Sequence, residues 1–276
     1  MARMHCWIAA VVVVVIASEA SAQAAKPAAT AKPPIADNSF LMEEAYNQEA
    51  GVIQHISLFQ KARDGDGWFY AFTQEWPVRG QRNQFSYTIP FSNPGSSEGL
   101  GDVMLNWRIQ SVGSEASATW ISPRVSLVLP TGDHTKGFGS GVLGIQGALP
   151  VSHRVAERVV SHSNVGVMLL PSAKDAAGKS GSATTFSLGQ SFIWEARSRT
   201  NFMLEAVWAG TARTVGSTDS WNASFYLSPG IRWGYDFASG LQVVPGIAFP
   251  IGVGPSNDDN QILLYLSLEH PRKSAK

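Results

Sequence analysis

Residues 99–150, GLGDVMLNWRIQSVGSEASATWISPRVSLVLPTGDHTKGFGSGVLGIQGALP, hold three segments in which apolar and polar side chains alternate. Read as strands, Val103, Leu105, Trp107 and Ile109 share one face, and Asp102, Asn106, Arg108 and Gln110 the other. The next segment sets Ile121, Val125, Leu127 and Leu129 against Ser122, Arg124 and Ser126, and the third sets Leu143, Ile145 and Leu149 against Gly144, Gln146 and Ala148. A period of two marks a strand with one wet face. Segments of about ten residues separated by turns are the pattern of a transmembrane β-barrel, and a soluble sandwich alternates too, with its apolar side inward. The start of the chain and the lengths of its loops separate the two.

Residues 1–22, MARMHCWIAAVVVVVIASEASA, carry Arg3 in front, an apolar run from Trp7 to Ala17 and Ala20-Ser21-Ala22 at the end. This predicts a secretory signal peptide cleaved after Ala22, with an apolar core too short for a comfortable membrane anchor. Cys6 lies inside the signal, so the exported chain has no cysteine. It is held by its core or by ladder hydrogen bonds, and a closed barrel offers the latter. The formal charge is zero and stays zero once Arg3 and Glu19 are removed, which gives no sign of a nucleic-acid partner. Beyond the signal no apolar run approaches the roughly 18 residues of a helical span, so a membrane crossing would be made by strands. The predicted location is the outer membrane of a Gram-negative cell.

Residues 23–50 read as an Ala/Pro-rich linker, QAAKPAATAKPPIAD, followed by an acidic segment in which Glu43, Glu44 and Glu49 flank Tyr46. That segment is expected as a short helix or an irregular stretch at the periplasmic mouth, where Glu43, Glu44, Tyr46 and Glu49 are candidates for a plug. Residues 51–276 read as an all-β, antiparallel, up-and-down transmembrane barrel of about twelve strands. The strands are expected near 51–61, 67–78, 84–91, 101–112, 119–130, 141–151, 159–170, 183–195, 200–209, 220–234, 240–251 and 260–270.

Compact connections (RGQRN, GSEASA, SHRVAER, ARSR, DFAS) alternate with longer ones (SNPGSSEGL, TGDHTKGFGS, PSAKDAAGKSGS, GTARTVGSTD, GVGPSNDD), as periplasmic turns alternate with external loops. Both termini then fall on the periplasmic side. Trp68, Trp76, Trp107, Trp120, Trp194, Trp208, Trp221 and Trp233 lie mostly toward strand ends, as two aromatic girdles require, although a sandwich core would also use them. Pro123, Pro229 and Pro245 sit inside predicted strands, where bulges are expected.

The inward faces carry charges of both signs: Glu75, Arg108, Arg124, Glu205 and Arg232, among Asn106, His162, Asn164, Tyr265 and others. Either these charges set a field that screens solutes in a pore, or they pair and fill a barrel that conducts nothing. Barrels of about eight strands are filled and those of about sixteen hold water, so twelve leaves both readings open.

A lipid hydrolase would need a His and a Ser two apart on one lipid-facing strand. His162-Ser163 is adjacent rather than alternate; His55-Ile56-Ser57 has the spacing, but the expected register turns it to the lumen. No catalytic residue, cofactor or metal centre is assigned. Asp64-Gly65-Asp66-Gly67 reads as a turn, and Asp133-His134 and Asp258-Asp259 as solvated loop residues.

The chain also resembles the outer-membrane β-barrel family labelled for the MetA pathway of phenol degradation, a group of transporter-like barrels. The matching stretches are NSFLMEEAYNQEAGVIQHI (38–56), GLGDVMLNW (99–107), and SPRVSLVLPTGD with GSGVLGIQGALP between 122 and 150. The resemblance implies a channel for small, aromatic or apolar molecules. Its partners would be outer-membrane lipid and lipopolysaccharide, a small-molecule solute and the outer-membrane assembly machinery. The leading expectation is a passive channel or transporter and no enzyme. The alternatives are a lipid-active hydrolase and a closed structural barrel working through its loops.

Overall fold

The computed structural model describes residues 36–114, 117–215 and 218–271. The predicted signal with its cleavage after Ala22 and the linker at 23–35 lie outside the described residues. Twelve antiparallel staves form a closed barrel. The first six are β1 (Val52–Ala62), β2 (Trp68–Val78), β3 (Asn83–Asn93), β4 (Val103–Ile109), β5 (Arg124–Leu129) and β6 (Gly144–Ala156). The others are β7 (Val159–Lys174), β8 (Ser180–Arg197), β9 (Thr200–Val215), β10 (Thr218–Trp233), β11 (Gln242–Ala248) and β12 (Gln261–Pro271). Four short pieces, Gly99–Leu100, Thr119–Ile121, Tyr235–Asp236 and Ile251–Gly252, prolong β4, β5, β10 and β11.

Each stave pairs with its neighbours in the chain, and β12 returns to β1 in continuous register from Val52↔Pro271 to Ala62↔Gln261. Closure removes the sheet edges, so the ladder satisfies the backbone of every stave without help from solvent. Each of the twelve predicted strands corresponds to one stave.

The alternation becomes an apolar exterior and a polar interior. Val125 is 53% and Leu204 50% exposed on the outside, whereas Asn106 is 3% and Glu205 0% exposed within. Outward aromatics gather at two levels. Near the rim where the N-terminal segment enters, Trp76 meets Phe85 at 5.2 Å and Trp194 meets Phe202 at 5.7 Å. Near the far rim, Trp68 meets Phe91 at 5.8 Å and Trp208 meets Trp221 at 6.2 Å.

Four expectations need correction. First, the described residues of the stretches 171–182 and 210–219 are mostly strand, because β7 runs to Lys174, β8 starts at Ser180, β9 reaches Val215 and β10 starts at Thr218. The apolar alternation fades there while the backbone ladder continues, so the wall is taller on that side. Second, the register runs unbroken past Pro229, opposite Leu204, and Pro245, opposite Leu266. Each removes one donor and the flanking pairs hold. Pro123 does fall in a break of β5, and the register shifts lie at Arg154/Ala156, Gly181/Ala183 and Trp194/Arg197.

Third, β1 is turned the other way: Gln54 is fully buried and Ile56 and Leu58 pack on an interior apolar cluster, so His55 and Ser57 face outward. Fourth, Trp120 points inward, edge-on to Tyr46 at 5.7 Å. The last two share a cause, which is that the interior holds something for apolar side chains to pack against.

If the outward face meets hydrocarbon, Leu204→Arg, midway between the two aromatic levels, costs about 2–4 kcal/mol of folding into lipid vesicles measured by urea titration. Thr185→Arg, which points into the barrel, loses only the 2.9 Å hydrogen bond to Thr211 and costs less, about 0.5–1.5 kcal/mol.

Candidate functional site

The segment before β1 lies inside the barrel. Residues 37–47 are irregular rather than helical, and Asn38, Ser39, Phe40, Glu44, Ala45 and Asn47 are all buried. An irregular backbone cannot satisfy its own N–H and C=O groups, so the polar inner wall must do so. The wall's contacts follow the segment residue by residue.

Arg232 Nη1 donates to the carbonyl of Asn38 at 2.6 Å, and the Ser39 hydroxyl donates to Ser191 Oγ at 2.8 Å. Glu205 Oε1 accepts from the amides of Phe40 and Leu41 at 3.2 and 3.0 Å. Asn164 embraces Glu43, accepting from its N–H at 3.0 Å and donating to its carbonyl at 2.8 Å. Ser152 Oγ accepts from Ala45 N at 2.7 Å, and the Ser122 hydroxyl donates to Ala45 O. His162 Nε2 donates to the carbonyl of Asp37 at 2.9 Å, which leaves its Nδ1 to accept from the Ser152 hydroxyl at 2.7 Å.

The densest contact is at Arg108. Its Nε donates to Asn47 Oδ1 at 2.8 Å, Nη1 to the carbonyl of Glu44 at 3.0 Å and Nη2 to that of Tyr46 at 3.0 Å. The carboxylates of Glu43 and Glu44 each stand 3.6 Å from its guanidinium. Arg124 lies directly opposite Arg108 on β5, and its Nη1 pairs with Glu43 at 2.8 Å while Nη2 donates to Gln146 at 2.8 Å. Two like charges facing each other across a ladder repel, and more strongly away from water. The two glutamates of the segment neutralise them.

Glu75 lies in the same network, where it accepts from Gln84 Nε2 at 2.8 Å, and Gln84 in turn accepts from the amide of Gln48 at 2.7 Å. Of the four predicted segment residues, Glu43, Glu44 and Tyr46 are inside, and Glu49 is exposed at the turn into β1. Burial pushes the carboxyl of Asp37, which lies on the inserted segment, above its ordinary range.

Phe40 anchors the tip of the segment. It stacks on Tyr265 at 4.8 Å and joins Ile193, Met203, Ala248 and Leu263 in one cluster. The wall makes room by omitting side chains. A Cβ on Gly246 would stand 2.4 Å from the Phe40 ring, one on Gly230 2.9 Å from it, and one on Gly189 2.7 Å from Met42 Sδ. These inward glycines were the sequence signal for an occupied lumen, and the reading missed them, along with Asn38–Met42 and Asn47.

Two cavities flank the tip. One of about 190 Å³ lies toward Ile56, Leu58, Thr73 and Asn106, and the other of about 170 Å³ lies toward Gln146, Asn164 and Ser187; Leu41, Met42, Glu43 and Arg124 border both. At ~30 Å³ per molecule, each holds about six waters and neither reaches the ~300 Å³ of an ordinary ligand pocket. Arg124 and Glu43 are thus the ion pair that borders both cavities, while Arg108, Glu44 and Glu75 line the first alone. The outward His55 and Ser57 have separate partners: Ser57 Oγ lies 3.1 Å from Tyr70 Oη and His55 Nε2 lies 3.1 Å from His270 Nε2.

A scan against protein-family models finds no match, and a search of curated proteins finds none. Among solved structures, the fold is similar to an outer membrane channel from Pseudomonas putida F1, with a TM-score of 0.60 and 12% identity over 82% of this chain and 97% of that one. The KdgM porin (TM-score 0.47, 9% identity, 79% of this chain and 98% of that one) and the NanC porin (0.48, 7%, 79% and 98%) also match. The likeness to the Pseudomonas channel shows the fold of an outer-membrane barrel.

Removing the Arg108 side chain leaves Glu44 buried without its cation, a change that costs about 3–5 kcal/mol in comparable pairs. Arg108→Ala is therefore expected to free the segment, and a Met42→Cys reporter, slow to react with maleimide in the parent, becomes labelled at least tenfold faster. Gly246→Ala is expected to loosen Phe40 at a cost of about 1–3 kcal/mol, with Phe40→Ala in the same chain restoring the lost thermal stability.

Proposed function

We propose that this chain is a passive channel of the Gram-negative outer membrane for small solutes, with its N-terminal segment as an internal plug. The observation that carries this reading is the combination of a closed barrel, apolar outside and polar within, and a segment of the same chain held in its lumen by charged side chains of the wall. A barrel that served only as a structural post would fill its lumen with side chains packed on one another. Here the filling is a separate piece of chain held largely by hydrogen bonds and ion pairs, an arrangement that can dissociate without unfolding the wall. The entry rim, with both ends of the barrel, is the periplasmic side.

Selectivity is assigned to the same five charged residues. With the segment seated, Arg124 and its partner Glu43 border both cavities, and Arg108 and Glu75 line the first. With the segment withdrawn, Glu205 and Arg232 join them in lining the passage, and the five set its transverse field. The inward Ile56 and Leu58, beside Phe40 and Tyr265, give one wall an apolar stripe, which supports the finer reading of small apolar or aromatic solutes implied by the resemblance to the MetA-labelled barrels. The reading is of a channel rather than a hydrolase, because the hydroxyl of Ser57 pairs with Tyr70 and the imidazole of His55 with His270, so the one pair with the hydrolase spacing is not joined, and the Ser152–His162 pair is buried under the segment, where it holds the backbone of Ala45 and Asp37.

Planar-bilayer recording of residues 23–276 beside a version beginning at Gly51 tests the proposal. A small or fluctuating conductance that rises several-fold on truncation is expected. Silence from both proteins would overturn the aqueous channel. In the truncated protein, Arg108→Ala with Arg124→Ala is expected to shift ion selectivity toward cations, read as a change in reversal potential under a salt gradient.

A further inference from the structure

The channel reading leaves one pair of metal-binding side chains unused. His55 on β1 and His270 on β12 face outward near the entry rim, diagonally across the strand pair that closes the barrel, with His55 opposite Leu268 and His270 opposite Ile53. Their Nε2 atoms are 3.1 Å apart, and their rings lie 5.2 Å centre to centre with planes 20° apart. Both are half-buried and reachable from outside.

The second observation concerns the proton on His270. Its Nδ1 lies 3.3 Å from the carbonyl oxygen of Pro271. A carbonyl only accepts, so in neutral His270 the proton sits on Nδ1 and the lone pair of Nε2 points at His55. An imidazole whose other N–H is tied to a backbone carbonyl is the usual state of a metal-ligating histidine. Two nitrogens each about 2.05 Å from one ion, with an angle near 100° between them, stand about 3.1 Å apart. The two nitrogens are already at the separation a shared ion requires.

We propose that His55 and His270 form a two-histidine site for a late first-row divalent cation, Cu²⁺ above Zn²⁺ or Ni²⁺, that clasps the first stave to the last. On binding, His55 moves its proton from Nε2 to Nδ1, so both lone pairs reach the ion with no net proton lost, and water completes the coordination. Because protonated imidazoles cannot ligate, binding weakens in acid. The two ligands lie 215 positions apart in the chain, so their sequence spacing carries no metal signature. The competing occupant of the gap is a single proton, which would make the pair an N–H···N hydrogen bond and nothing more.

The test uses tag-free residues 23–276 in detergent, titrated with Cu²⁺ by calorimetry and examined by electron paramagnetic resonance. One equivalent is expected, with splitting from two equivalent imidazole nitrogens and a rise in the temperature at which the folded band is lost on gels. His55→Ala and His270→Ala should each weaken binding at least tenfold and abolish the two-nitrogen pattern, while His153→Ala, an exposed histidine elsewhere, changes neither. Should either alanine variant fail to migrate as a folded barrel, His55→Gln and His270→Gln serve in its place and should give the same loss. Absence of saturable binding near one equivalent, or binding unchanged in folded His55 and His270 variants, would overturn the proposal.

Discussion

Arg108 and Arg124 face each other across β4 and β5, the first buried and the second half-buried in the lumen of a barrel whose other inward groups on those staves are neutral. Two guanidinium groups in that position need counter-charge and acceptors, and the wall nearest them supplies Glu75, Gln146 and Asn106. The rest comes from the chain's own N-terminal segment, as the carboxylates of Glu43 and Glu44 and the carbonyls of Glu44 and Tyr46. Much else in the interior follows from seating that segment. The wall glycines clear space for Phe40 and Met42, and Asn164, Ser152 and Glu205 take up backbone groups that an irregular strand leaves open.

The wall and its contents are stabilised by different physics. The wall is held by a continuous ladder that closes from β12 to β1, and in lipid that ladder has no competitor. The segment is held by charge-assisted hydrogen bonds in a small wet space, where water can replace each partner in turn. In the channel proposed above, this division would let the lumen open at a cost below that of unfolding the barrel, with one chain supplying both wall and plug.

The wall was legible in the sequence because outward residues answer to a simple rule: apolar at every second position, aromatics at the rims. Val103 to Ile109, Phe202 to Trp208 and Ile262 to Leu268 all follow it, and each marks its stave. The rule failed where the inner face meets protein instead of water. On β1, Ile56 and Leu58 turn inward because Phe40 and Tyr265 are there to receive them, so His55 and Ser57 were placed on the wrong side. Trp120 was drawn inward by Tyr46 in the same way. Among the lumen charges, Arg108 and Arg124 could be placed from alternation alone. That they grip a segment some sixty to eighty positions earlier could not, since only the folded wall brings Asn47 and Glu43 to them.

A plugged channel requires the segment to be seated in the lumen of the membrane-embedded protein. The Ser39 and Ser191 hydroxyl oxygens lie 2.8 Å apart, one on the segment and one on the inner wall, and residues 23–276 contain no cysteine to interfere. The direct measurement is oxidation of a Ser39→Cys/Ser191→Cys variant in native outer membranes, followed by bilayer recording with and without reductant. Near-complete intramolecular crosslinking, with conductance suppressed until the bond is reduced, is the predicted result. A folded barrel in which the two thiols do not crosslink, or in which the crosslink leaves conductance unchanged, would contradict it.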